Sequence, residues 1–128
     1  MKNKSLLPVV TASEAEVMNI IWDDSPASVS EIVERLPRTL AYTTVMTTVR
    51  ILEDKGFIAK SGKRGRAFLY HPTVDRDHVR GSMSHEIANR LFGGSVKSLV
   101  LNLVQDTSIS ADDLAEVKQM IEELESTK

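Results

Sequence analysis

The sequence predicts a mainly α-helical chain that carries one small β-hairpin, on three observations. Two S/T-x-x-E starts, Thr11-Ala12-Ser13-Glu14 and Ser28-Val29-Ser30-Glu31, each precede apolar residues at helical spacing. A glycine-punctuated basic segment at 61–66 separates two β-prone runs. Beyond residue 73 three further amphipathic stretches follow.

The chain opens on two lysines and a short apolar run, Leu6, Leu7, Pro8, Val9 and Val10, too short for a signal peptide. The first helix starts at the Thr11 capping box, buries Val17, Met18, Ile21 and Trp22, and stops near Pro26. Its tryptophan, the only one, is expected to anchor the core. The second starts at Ser28 and keeps Val29, Ile32, Val33 and Leu36 at i, i+3, i+4, i+7 until Pro37 ends it.

The third helix reads YTTVMTTVRILEDKG over residues 42–56. At about 100° per residue, Val45, Val49, Leu52, Thr48 and Gly56 share one side, and Thr43, Thr47, Arg50 and Asp54 lie opposite. A solvated face would ordinarily carry Glu and Lys, since threonine costs helix propensity. A row of Thr43, Thr44 and Thr47 beside Arg50 fits another use: hydroxyls toward phosphates or base edges, methyls toward thymine methyls, and an arginine for guanine or phosphate. The bland alternative is an ordinary helix with β-branched surface residues.

After this helix, Phe57 and Ile58 open one strand and residues 67–70 close the other. Ser61-Gly62-Lys63-Arg64-Gly65-Arg66 joins them, and its two glycines suit a wide turn with three cations at its tip. Phe68 and Tyr70 are expected in the core, with Arg66 reaching beyond them. Between Arg35 and Arg66 eight cations face only Glu53 and Asp54, a local net of +6.

Helix, turn, helix and then a basic hairpin is the order of a winged helix-turn-helix, in which the third helix enters the major groove and the wing reaches phosphates. Residues 1–73 are assigned to that domain. The expected duplex-facing set is Arg38, Tyr42, Thr43, Thr44, Met46, Thr47, Arg50, Lys63, Arg64 and Arg66.

Residues 74–128 read as a C-terminal helical dimerisation domain. A long helix over residues 73–92 carries Val79, Met83, Ile87 and Leu91 in one row and ends at Gly93-Gly94. Ser95 then caps a short helix with Val96, Leu99, Val100, Leu103 and Val104 on one stripe. In the last helix Ile109 and Leu114 bracket the Ser110 cap as a hydrophobic staple, and Val117, Met120, Ile121 and Leu124 continue the apolar side. Three short amphipathic helices bury their stripes better against a second copy than against each other. Leu91, Phe92, Val96, Leu99, Val100, Leu103, Val104, Val117 and Ile121 are the expected contacts; folding back as an intramolecular bundle is the alternative.

The overall charge of −2 hides an asymmetry: residues 1–80 hold twelve basic and ten acidic side chains, whereas 81–128 hold four and eight. The basic part suits a polyanion and the acidic part another task. Without cysteine there are no disulfides or thiolate metal sites, and no apolar run could span a membrane, so a cytoplasmic protein is expected.

The residues that carry these readings also resemble the penicillinase-repressor family, the BlaI/MecI type of winged-helix regulator, along nearly the whole chain. The similar segments are TASEAEVMNIIW, AYTTVMTTVRILEDKGFI, the wing GKRGRAFLY, and LFGGSVKSLVLNLV. The resemblance implies a dimeric transcriptional repressor of palindromic operators, with a TACA/TGTA-type core. It further implies release by a protease under the control of a membrane sensor-peptidase. The cut would fall in the dimerisation region at Asn102-Leu103, where leucine replaces the aromatic residue usual in such repressors.

No phosphate loop, metalloprotease helix, nucleophile elbow or paired-carboxylate pocket occurs, so neither an enzyme nor a cofactor is expected. His78 and His85 would stand roughly 10.5 Å apart along one helix, too far to share a metal. The reading from another class is a winged-helix protein-interaction module that does not bind DNA.

Overall fold

The computed structural model describes residues 8–128, so Leu6 and Leu7 of the N-terminal apolar run lie outside the described residues. Among them the chain forms α1 (Ala12–Asp23), α2 (Val29–Arg35), α3 (Tyr42–Asp54), β1 (Ile58–Arg64), β2 (Ala67–Pro72), α4 (Arg76–Leu91), α5 (Val96–Val104) and α6 (Ala111–Ser126). It divides into two compact units, one ending at Met83 and the other being Ser84–Lys128. The first unit thus runs on past the 73/74 junction drawn from the sequence.

Both early helices begin as their sequences dictate. Thr11 Oγ1 accepts the Glu14 N–H at 3.2 Å while Glu14 Oε1 accepts the Thr11 N–H at 3.0 Å. Ser28 and Glu31 repeat the exchange at 3.2 and 2.9 Å. Each pair satisfies donors that a helix start otherwise leaves open.

The core of the first unit is built from one face of each helix: Val17, Met18 and Ile21 of α1, Val29 and Ile32 of α2, and Val45, Val49 and Leu52 of α3. Phe57, Ile58 and Tyr70 close it from the hairpin. Each such side chain contributes about 1.5–3 kcal/mol by leaving water. Trp22 sits at the edge instead of the centre: its Nε1–H donates to Val74 O at 3.0 Å, and the Arg76 guanidinium lies 5.2 Å over its ring. The tryptophan therefore fastens the start of α4. That helix begins later than the sequence suggests because the Thr73 hydroxyl and N–H are spent on Gly56 O and Phe57 O.

The wing differs from expectation. Its strands are antiparallel and continue to the Arg64–Ala67 pair, so Gly65 and Arg66 alone make a tight turn, with Gly65 at φ +64°. The register slips between Lys60 and Gly62, which leaves Ser61 as a bulge and puts Gly62 at φ +144°. The two glycines serve a bulge and a two-residue turn, not one wide loop.

The second unit keeps little of its apolar surface covered. Ala88 and Leu99 are buried, but Leu91 is 75% exposed and no residue of α6 is buried. Ser95 and Ser110 cap α5 and α6 through the Ser98 and Asp113 N–H groups, each at 3.0 Å. Among the described residues no helix is long and apolar enough to cross a membrane.

Candidate nucleic-acid interface

The packing of α3 fixes which of its residues face outward. With Val45, Val49 and Leu52 buried, Tyr42, Thr43, Thr44, Thr47 and Arg50 are left exposed on its outer side. Met46 falls elsewhere: it is half-buried and packs against the core. Thr47 and Thr48 each donate their hydroxyl hydrogen one turn back, to Thr43 O at 3.0 Å and Thr44 O at 3.2 Å. What Thr47 presents outward is therefore a methyl group and oxygen lone pairs.

The cations divide sharply by what holds them. Arg38 is committed to Glu16, donating from Nε at 3.0 Å and Nη2 at 2.9 Å. Lys55 donates to Glu14 Oε1 at 2.8 Å and to Val9 O at 3.0 Å, joining α3 to α1. Arg64 donates to Glu31, so the wing tip is pinned to α2 by a carboxylate that also caps that helix. Arg35 lies 3.3 Å from Asp24 and 3.9 Å from the same Glu31. Among the described residues Arg50, Lys63 and Arg66 form no ion pair. One lies on α3 and two on the wing.

These pairings leave a titration signature. Hydrogen bonding by Arg38 holds the Glu16 carboxyl below its usual range. For Glu31 the Ser28 N–H acts first, then the charges of Arg64 and Arg35, again downward. Burial works against the charge of Glu14, yet the hydrogen bonds from Lys55 and Thr11 outweigh it and lower the carboxyl. Burial raises the Tyr70 phenol.

Phe68 is not in the core. The ring is 42% exposed, with Lys60 Nζ 4.4 Å and Lys63 Nζ 4.7 Å from its centroid. Alternation along β2 does put it on the same side as Tyr70, but the strand extends past the helices, so Tyr70 is covered and Phe68 overhangs. Only the strand's length relative to its support could have revealed that.

In the second unit, Val96, Val100, Leu103, Val117 and Ile121 are all exposed, with Leu91. Phe92 and Val104 are half-buried and Leu99 is buried, so the expected α5 stripe is split between internal and outward positions. Asn102 and Leu103 both lie exposed within α5. Among the described residues no three His, Asp or Glu side chains gather so as to hold a metal ion.

Comparison with known proteins bears on this surface. The sequence model of the penicillinase-repressor family matches residues 10–123. The penicillinase repressor of Bacillus licheniformis is 31% identical over 124 residues, 95% of this chain and 96% of its own. The methicillin resistance regulatory protein MecI of Mammaliicoccus sciuri is 32% identical over 114 residues, 88% of this chain and 92% of its own. The solution structure of the DNA binding domain of the repressor BlaI aligns with a TM-score of 0.50 at 31% identity, covering 61% of this chain and 93% of that one.

Proposed function

The chain belongs to the penicillinase-repressor family, and from that premise we propose how it acts as a DNA-binding transcriptional repressor. It works as a cytoplasmic homodimer on palindromic operators, with half-sites about one helical turn apart and a TACA/TGTA-type core. Thr43, Thr44, Thr47 and Arg50 enter the major groove, while Lys63 and Arg66 hold flanking phosphates. The observation that carries this reading is that, of the eight cations between Arg35 and Arg66, the three without an ion pair among the described residues, Arg50, Lys63 and Arg66, lie on the recognition helix and the wing. Recovering bound duplexes from a random pool tests it: a two-fold symmetric consensus supports the reading, and an unstructured pool rejects it.

Repression ends by cleavage of the Asn102-Leu103 bond by a protease under a membrane sensor-peptidase. Cutting there would separate Leu103, Val104 and α6 from the rest of the chain, and two weakly paired monomers lose the avidity of joint half-site binding. A peptide bond inside α5 must first open locally, and the exposure of α5 and α6 on the single chain makes that opening easier. Mass spectrometry of the protein from fully induced cells tests this: intact chains throughout would reject cleavage.

A further inference from the structure

A cleft of about 130 Å³ opens between the wing and the first turns of α3. Tyr42 and Met46 form the α3 wall, Phe68 the wing wall, and buried Tyr70 lies at its base. Ser30 and Arg66 bring polar groups to its margin. The cleft is held open by backbone: Tyr70 N–H and C=O exchange hydrogen bonds with Ala27 at 2.8 and 3.0 Å, tying the root of the wing to the start of α2.

Three features limit what can enter. The volume is well short of the roughly 300–1,000 Å³ of pockets that take drug-sized ligands. The walls are aromatic and thioether, whereas the margin carries a cation: Arg66 lines it and has no ion pair among the described residues. The cleft also separates the helix that reads a major groove from the wing beside it, and the structure that passes between them in a bound duplex is one strand's backbone. A sugar ring with a charged ester matches an apolar wall with a cation at its margin.

We propose that this cleft is a subsite for one phosphodeoxyribose unit of the operator duplex, with the sugar against Tyr42, Met46 and Phe68 and the phosphate on Arg66. This rests on the reading of the chain as a DNA-binding repressor. It gives Met46 a place beside the sugar instead of a base, and gives the exposed Phe68, whose ring already holds Lys60 and Lys63 in the free protein, a sugar contact as well.

The test uses the full chain and a duplex selected by it from a random pool, with each phosphate replaced in turn by an uncharged methylphosphonate. At one backbone position in each half-site, neutralisation should weaken wild-type binding about tenfold but Arg66→Ala binding less than about twofold. Phe68→Ala should weaken binding to all duplexes about fivefold through lost sugar contact. Both side chains are exposed, so unchanged melting temperatures would show that the variants fold. Tight duplex binding in which no single position couples to Arg66, or in which Phe68→Ala is silent, overturns the subsite alone. A chain that binds no duplex overturns the repressor reading and the subsite with it.

Discussion

The Thr47 hydroxyl donates to the carbonyl oxygen of Thr43 at 3.0 Å, one turn back along α3. The hydrogen is thereby spent on the helix, as threonine in helices can do. Thr47 can still accept from a base amino group and can place its methyl against thymine. Thr47→Ala should therefore relax sequence preference by about 1 kcal/mol without changing the salt dependence of binding. Thr47→Ser, which keeps the oxygen, separates the two contributions: a loss equal to that of alanine assigns the preference to the methyl. Competition titrations against single-base variants of the selected duplex read both.

Glu31 serves two masters on the wing side. One carboxylate oxygen caps α2 through the Ser28 N–H, and the other accepts from Arg64. Glu31→Gln retains an oxygen for the cap and removes the charge that detains Arg64. The expected result is faster hydrogen exchange at the wing tip and a salt slope steeper by about one unit, as a released guanidinium finds a phosphate. An unchanged slope would mean that Arg64 never reaches DNA.

The Glu14–Lys55 pair predicts the acid response of the first unit. Lys55 and Thr11 hold the buried Glu14 carboxyl below its usual range despite burial. A depressed folded-state value means that the stabilisation is fully present above the unfolded carboxylate pKa of about 4.3 and is lost as pH falls through the folded value. Lys55→Met leaves a buried carboxylate without its partner, costing about 1–3 kcal/mol at pH 7. That deficit should shrink as denaturation is repeated toward pH 3. A constant deficit would contradict the assignment.

What the sequence disclosed was whatever is decided within one turn or one face. The Thr11/Glu14 and Ser28/Glu31 boxes are three residues apart, and their reciprocal hydrogen bonds form as read. The buried row Val45, Val49 and Leu52 follows from period alone. Pairings across the fold are not legible in sequence: Glu16 and Arg38 are 22 residues apart and Glu31 and Arg64 are 33, so two cations expected at the duplex are instead paired with carboxylates of α1 and α2. Phe68 was misplaced because alternation gives a side, not depth. The tight wing turn was missed because a bulge at Ser61 and a turn at Gly65 use the same residue type as a wide loop.

The second unit offers a test of self-association. Val100 and Ile121 are exposed on the single chain, whereas Leu99 is buried and its loss would damage the unit itself. Val100→Asp and Ile121→Asp should each give helical monomers by sedimentation that bind a half-site weakly and a full palindrome with little added affinity. Dimers surviving both changes would put the interface elsewhere.

The central claim is that this chain reads duplex sequence through α3 while the wing grips phosphates. Fluorescence anisotropy with the selected palindrome and a scrambled duplex, each titrated across a salt series, tests it most directly. The account predicts at least about a thousandfold preference for the palindrome, and for both duplexes a linear fall of log affinity with log salt. Equal affinity for the two duplexes, or binding indifferent to salt, would contradict it.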